Sequence, residues 1–498
     1  MNLFRAFATV GGYTMLSRIL GFVRDILIAG TLGAGPVADA FFVAFKLPNF
    51  FRRLFAEGAF NAGFVPLFSD LLANNGPAQA RAFAEQALSF LLLTLFIFVT
   101  LAQLTMPWLM QALAPGFVDD PERFDLAVAF TRITFPYLLF ISLVSLMGGV
   151  LNSLQRFAAV AATPVLLNIC LIAAITLLSP HLPSPGHALA WGVAVAGVVQ
   201  LVWLSIACQR AGMGLRLPRP RLTPKIRELL RLMLPAALGA GVVQVNLVID
   251  IILASLLPKG SVSFLFYADR LNQLPIGVVG VAVGTAILPL LSRLVAQKDQ
   301  SAALQALNRA IELTLFLALP AMFAFLLTAD ELILTLFQRG QFDAAAVRAT
   351  AFALTAYAVG LPAYVLVKVL GPAFFARRDT RTPVLVGIGA MVVNVILNLI
   401  LMQFLAHAGL ALATAIAAWL NVGLLSWILY HRGDLVPDHR LIQRLGRALG
   451  AALIMTLILW WLKDLLAAQF LGDGEIQRIL ALAVLVAAGM LSYAVSAV

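Results

Sequence analysis

A chain of 498 residues that is 62% hydrophobic and only 11% charged is not a soluble enzyme, because soluble domains run near half apolar and a quarter charged. A mean hydropathy of +0.97 and apolar runs of about 20 residues between short polar gaps indicate an all-α polytopic membrane protein; the alternating segments of about ten residues that a β-barrel needs are absent. The net charge of +11 raises the question of nucleic acid, but Lys and Arg gather in loops and no soluble basic domain carries them, so no nucleic-acid partner is expected.

Met1 to Leu20 has one early Arg and no small-residue cleavage site after its apolar part, so it reads as an uncleaved first span. Spans are predicted near 7–31, 39–69, 86–112, 126–151, 160–179, 188–208, 229–256, 268–296, 311–337, 347–370, 382–405, 409–430, 446–466 and 477–497, about fourteen in all. Loop charge orients them. The loop after the sixth span carries Arg210, Arg216, Arg219, Arg221, Lys225, Arg227 and Arg231. Arg156, Arg377, Arg378, Arg381, Arg432, Arg440, Arg444 and Arg447 fall on the same side. The opposite side receives Asp119, Asp120, Glu122 and Asp125. Both termini are therefore expected on the cytoplasmic side of the membrane. Cys170 and Cys208 sit in apolar runs and read as packing residues.

An internal repeat is visible. Gly186-His187-Ala188-Leu189-Ala190 resembles Gly409-Leu410-Ala411-Leu412-Ala413, and Thr163-Pro164-Val165-Leu166 resembles Thr382-Pro383-Val384-Leu385. Pro66-Leu67-Phe68-Ser69 matches Pro289-Leu290-Leu291-Ser292, and Asp25-Ile26 matches Asp250-Ile251, all at an offset of about 220–230 residues. The halves expected are an N-terminal six-helix lobe over 1–210 and a second over 229–432, joined by a basic linker at 211–228. A loop and an appended helix pair follow over 433–498. Pro48, Pro136, Pro235, Pro275, Pro289 and Pro362 are expected to kink their helices, and Gly280-x-x-x-Gly284 reads as a helix contact.

The charges inside apolar sequence carry the functional signal, since a charge near the bilayer centre faces a watery cavity or an ionic partner. Arg18, Arg24 and Asp25 lie in the first span; Asp39, Lys46, Asn49, Arg52, Arg53 and Glu57 in the second; Asp269 and Arg270 open the eighth. Helical spacing puts Arg18 and Asp25 on nearly one face, with Arg24 about a quarter turn away, and lets Arg53 pair with Glu57. Asp39, Lys46 and Arg53 are spaced to share a face until Pro48 kinks it. The expected ion pairs are Asp25 with Arg18, Asp39 with an Arg, and Glu57 with Arg53. Bases outnumber acids even so, and surplus guanidinium calls for an anion, for which phosphate suits its planar fork. The second half keeps Asp250 opposite Asp25 but has Val243 and Ile249 where Arg18 and Arg24 would align, so the cluster is asymmetric.

No Walker motif, G-x-S-x-G or H-E-x-x-H occurs, so the reading is a transporter and not an enzyme, with no catalytic residue, no metal and no cofactor. Asn168, Asn246, Asn394, Asn398 and Asn421 are mid-span residues expected to hydrogen-bond between helices.

Ser17 to Asp25, Ala38 to Asn49 and Arg52 to Phe60 resemble the MurJ (MviN) family of lipid II flippases, as do Tyr267-Ala268-Asp269-Arg270 and Lys368-Val369-Leu370. The resemblance implies the multidrug/oligosaccharidyl-lipid/polysaccharide exporter superfamily, with two six-helix lobes in a V and two C-terminal helices lining a hydrophobic groove. It also implies movement of lipid II, an undecaprenyl-diphosphate-linked disaccharide-pentapeptide, from the cytoplasmic to the periplasmic leaflet for peptidoglycan synthesis and cell shape. On this resemblance Arg18, Arg24, Arg52, Arg270 and Asn49 bind substrate, while Asp25, Asp39, Arg53, Glu57 and Asp269 set cavity charge or gate it. The expected partners are lipid II, membrane lipids and other cell-wall synthesis proteins, and the chain is expected to be a monomer. The coupling ion, sodium or chloride, is open, and the eleventh span offers Asn394 and Asn398 but no acid for sodium. The alternatives are export of another polyprenyl-diphosphate glycan or an anionic drug, and a non-transporting scaffold for cell-wall enzymes.

Overall fold

Proline at the first helical turn and short polar caps punctuate the sequence into helices. A computed structural model, which describes residues 3–53, 60–472 and 474–497, shows helices and no strand among them. The chain divides into two compact units, Met1–Gly260 and Ser261–Val498.

The first unit contains α1 (Leu3–Leu32), α2 (Pro36–Phe51), α3 (Asn61–Asn74), α4 (Pro77–Leu104), α5 (Met106–Leu113) and α6 (Pro121–Thr134). It continues with α7 (Tyr137–Ser153), α8 (Phe157–Ala161), α9 (Thr163–Ala173), α10 (Pro185–Arg210) and α11 (Pro224–Ser255). Its core is aromatic where α3 meets α4: Phe60, Phe64 and Phe68 stack in sequence, and Phe83 stacks on Phe64. Gly186 explains one repeated motif, because a Cβ there would lie 2.5 Å from the Phe130 ring and 2.8 Å from Val37. Its counterpart Gly409 would meet the Leu401 carbonyl oxygen at 2.4 Å. Both copies of the motif thus mark a close approach that no side chain fits.

The boundary falls after α11, whereas the repeat places a change of half at the linker 211–228. The reason is that α11 is anchored in the first unit at both ends. Near its start, Leu229 and Leu232 fill the space that Gly63 of α3 leaves open. At its other end Ser255 bonds to Gly116 and Arg123. The linker is held too: the Arg216 and Arg221 backbone N–H groups donate to Glu85 and Gln86 of α4.

The second unit contains α12 (Ser261–Pro275), α13 (Val281–Ala296), α14 (Gln300–Phe337), α15 (Ala344–Phe375), α16 (Arg381–His431), α17 (His439–Leu465), α18 (Ala467–Leu471) and α19 (Glu475–Ala497). Asp299, Asp343 and Asp438 cap α14, α15 and α17 by accepting backbone N–H bonds. A core of Leu307, Leu315, Leu361, Val369, Phe374 and Leu429 joins α14, α15 and α16. The appended pair α17 and α19 packs through Ala452, Met455, Leu459 and Leu485. It docks on α14 through a Tyr493 Oη bond to the Phe316 carbonyl and a Lys463–Glu331 ion pair at 2.9 Å.

Among the described residues nine helices are long and apolar enough to cross a membrane. The chain is thus a multi-pass membrane protein. About fourteen are expected; α11 enters only as the shorter apolar stretch Gln244–Ser255, and two further features separate the numbers. At 51 residues α16 is about 75 Å long, more than twice what a crossing needs, and it breaks at Ala406 (φ 48°) between the predicted spans 382–405 and 409–430. The helices α1, α2 and α12, which carry the charged cluster, fall outside the apolar set. Of the expected proline kinks, Pro136 stands in a break between α6 and α7; inside the described helices Thr328 in α14 and Ala406 in α16 leave helical geometry. Pro275 is followed by a wide π turn at Ile276–Gly280.

Candidate functional site

Arg24 and Asp25 are adjacent on α1, yet they form the ion pair that spacing assigned to Arg18 and Asp25. The Arg24 arm folds back so that Nε and Nη2 donate to Asp25 Oδ1 at 3.0 and 2.7 Å. Its Nη1 donates to Asn168 Oδ1 of α9 at 2.9 Å, and Asn168 Nδ2 donates to the Ser17 carbonyl at 2.9 Å. Arg24 and Asp25 are 6% and 3% exposed, so this is a buried, fixed guanidinium. Helical angle alone misassigned the pair because an arginine arm reaches further than a quarter turn. Arg18, one turn and a half away, is exposed and forms no hydrogen bond or ion pair among the described residues. The expected sharing of a face by Arg18 and Asp25 therefore does not become a contact.

The helix α2 grades from buried to open. Asp39 is fully buried, Lys46 and Asn49 are half-buried, and Arg53 is exposed, so a spacing of seven does not give these residues one environment. Beyond Pro48 the backbone widens into π geometry at Arg52 and Arg53, which rotates their side chains off the α-helical register. Arg52 Nε donates to Asn49 Oδ1 at 3.2 Å, while Asn49 Nδ2 is tied to the Phe45 carbonyl. The amide thus aims the guanidinium. Glu57, with its expected Arg53 pair, lies outside the described residues.

Asp39 Oδ2 accepts the Gly260 backbone N–H at 2.7 Å and lies 4.0 Å from Arg123 Nη1. Arg123, 3% exposed, stacks 3.8 Å over Phe117 and donates to the Ser255 carbonyl at 3.0 Å. Gly116 N–H donates to Ser255 Oγ; a Cβ on Gly116 would lie 2.2 Å from the Ser255 carbonyl oxygen, so this approach requires glycine. Lys259 closes the outer edge with an ion pair to Asp120 at 2.9 Å. The hydrogen bond from Lys259 holds the Asp120 carboxyl below the usual carboxylate range, against the opposing effect of its burial. Together these contacts form a latch between the end of α11 and the starts of α2 and α6.

Arg123 and Lys259 escaped the sequence reading, which took 119–125 as an acidic loop. Their signal was present: both are basic residues on the side that the positive-inside rule leaves poor in base. Asn168 was read as a bland helix bridge, and it does bridge α9 to α1, but on Arg24.

In the second unit Arg270 lies 4.7 Å over the Phe266 ring and Asp269 accepts from Gln273. Asn398 donates to Asn394 one turn earlier in the same half of α16, while Asn394 donates to Thr414 across the Ala406 break, so it is the second bond that bridges helical segments. Asp250, the repeat partner of Asp25, accepts from Asn246 where Asp25 accepts from Arg24. Among the described residues no group of three or more His, Cys, Asp and Glu gathers as a metal site would require.

Residues 28–479 match the family model described as Lipid II flippase MurJ. The chain belongs to the MurJ family. A probable lipid II flippase MurJ of Rhizobium meliloti (strain 1021) is 44% identical, covering 99% of this chain and 93% of its own length. The lipid II flippase MurJ of Burkholderia cenocepacia is 39% identical over 93% and 90%. Among solved structures, a lipid II flippase MurJ in an inward closed conformation superposes with a TM-score of 0.79 at 25% identity, covering 98% and 97%. An inward-facing multidrug-resistance MATE transporter of the MOP superfamily gives 0.67 at 16% identity over 84% and 94%, which extends the fold to that superfamily. The family match begins after Arg18, Arg24 and Asp25, so their placement rests on the geometry above.

Proposed function

We propose that this MurJ-family chain flips lipid II from the cytoplasmic to the periplasmic leaflet of the bacterial inner membrane by alternating access, as a transporter and not an enzyme. The observation that carries the cationic-site reading is Arg18. It is a guanidinium in a membrane helix, exposed and without a partner among the described residues, one to two turns from the buried Arg24–Asp25–Asn168 set. A diphosphate is matched by guanidinium forks, and Arg18 is available to bind it without first breaking an ion pair. Arg52, aimed by Asn49, supplies further donors, whereas Arg24, tied to Asp25 and Asn168, must give up a bond before it can take an anion. The polyprenyl tail stays in the lipid.

In this reading the Asp39–Gly260 and Arg123–Ser255 bonds hold one closed state, and they break when the cavity changes sides. Asp39 is then a latch residue more than a partner of the cluster arginines. Membrane potential supplies about 2.3 kcal/mol per charge per 100 mV in the direction that expels an anion outward, so no ATP is required. Neither sodium nor chloride is assigned a binding site.

The test is Arg18→Ala in purified, reconstituted protein, followed by accessibility of lipid II on the outer face of vesicles. Because Arg18 holds no partner among the described residues, its loss removes substrate binding without opening a buried ion pair. Flipping should fall at least about tenfold, the effect of removing one charge-assisted contact. A wild-type rate in this variant would discard the arginine site, and wild-type protein that moves no lipid II would discard the function.

A further inference from the structure

The segment between α10 and α11 carries charge that the site above does not use. Gly212 (φ 75°) turns the chain out of α10, and the buried Met213 anchors it. The chain then runs without helix to Thr223 and re-enters the first unit at Ile226 and Leu229, both buried. Between these anchors Glu85 and Gln86 of α4 hold the Arg216 and Arg221 backbone N–H groups, so the segment is a fixed strap. Its arginine side chains stay outside. Arg210, Arg216, Arg219, Arg221, Arg227 and Arg231 are all exposed, and none of these guanidinium groups has a hydrogen bond or ion pair among the described residues. The one acid in this stretch, Glu228, is taken by Lys225 at 2.9 Å. Like charges so close together repel one another and draw an anion between them.

The attachment to α4 sets the depth of the strap. Glu85 and Gln86 directly precede residues 87–104, which contain no Asp, Glu, Lys or Arg and complete a helix apolar enough to cross the membrane. The strap is thus pinned where α4 passes from polar to apolar sequence, which is the level of the lipid headgroups. Leu217 and Leu222 are 62% and 50% exposed, and at that level they meet the edge of the acyl layer instead of water. We propose that the strap is a docking surface for anionic phospholipid headgroups. Its guanidinium forks take the lipid phosphates, while Leu217 and Leu222 enter the acyl boundary. An acidic protein would answer the charge, but it would not answer the depth or the leucines. The assignment holds whatever the chain transports.

The experiment titrates the full-length protein with phosphatidylglycerol and, separately, with phosphatidylcholine, and reads bound lipid by native mass spectrometry. The strap variant combines Arg216→Gln, Arg219→Gln and Arg221→Gln, which leaves the backbone bonds to α4 in place. A control combines Arg378→Gln, Arg444→Gln and Arg447→Gln, removing the same charge from exposed positions elsewhere. Wild type is expected to prefer phosphatidylglycerol. The strap variant should bind it at least about tenfold more weakly and bind phosphatidylcholine as wild type does, while the control keeps the wild-type preference. Leu217→Ser with Leu222→Ser should weaken both lipids alike. If the strap variant melts lower than wild type, the three single substitutions decide, each expected to weaken phosphatidylglycerol about fivefold. Wild type without a preference overturns the surface. So does a strap variant that binds phosphatidylglycerol like wild type, which would leave the arginines to an acidic protein. Equal losses in the strap variant and the control also overturn it, because net charge and not the strap would then govern binding.

Discussion

Arg18 and Arg24, six residues apart on one helix, differ in what surrounds them. Arg24 is held by Asp25 and Asn168 inside the first unit, and Arg18 is open. Truncating Arg24 leaves Asp25 buried without its cation, which typically costs about 3–5 kcal/mol. Arg24→Ala should therefore lower the melting temperature in detergent as well as flipping, whereas Arg18→Ala should lower flipping alone. Equal melting temperatures for the two variants would show that the Arg24 pair is not structural. Asp39 is a similar case. Asp39→Asn keeps an oxygen to accept the Gly260 N–H but removes the charge near buried Arg123. It should speed escape from the latched state, read as faster cysteine labelling at an engineered Ser255→Cys than in a variant with Asp39 intact. Indifference of that labelling to Asp39→Asn would remove Asp39 from the latch.

At the scale of elements, small contacts set how helices meet. Gly116 allows the end of α11 to touch the start of α6, and Gly186 and Gly409 allow equivalent approaches in each repeat. The junction of α15 and α16 depends on charge. Asp379 accepts from the Thr382 hydroxyl, the Thr382 backbone N–H and Arg432, which hold its carboxyl well below the usual carboxylate range of about 3.9. A carboxyl whose folded pKa is depressed stabilises the fold at every pH above its unfolded pKa. That contribution disappears as pH falls through the lower, folded value. Melting temperature should thus decline below about pH 4, and by less in Asp379→Asn, which has no carboxyl to titrate. An identical decline in both proteins would assign the acid sensitivity to other carboxylates.

For the whole molecule, the energy source separates a potential-driven flippase from a passive one. If the substrate crosses as an anion, imposing an inside-negative potential of about 100 mV on vesicles should accelerate outward flipping, and collapsing it with a potassium ionophore should slow it. A rate insensitive to potential would mean that the moving complex carries no net charge. At the same scale, the expected spans and the helices divide the chain differently. The helices α1, α2 and α12 carry the charged cluster and are not among the apolar set. Two predicted spans are joined in α16, because helix geometry continues on both sides of a single break at Ala406.

Composition alone determined the solvent of this protein, since no arrangement of a chain 62% apolar suits water. Long motifs determined its family, and the common offset of short ones exposed the duplication. Those properties are local or additive along the chain, so they can be read without coordinates. Which charge meets which is neither. Arg24 took Asp25 because Asn168 arrives from a helix 144 positions away, and Asp39 took Gly260 across 221 positions. Arg123 hid in an acidic loop, and a pair of glycines that spacing assigned to helix packing proved to seat Lys368. Partners of this kind are fixed by packing between helices distant in sequence. Only the tertiary structure could separate the guanidinium held by the fold from the one left exposed.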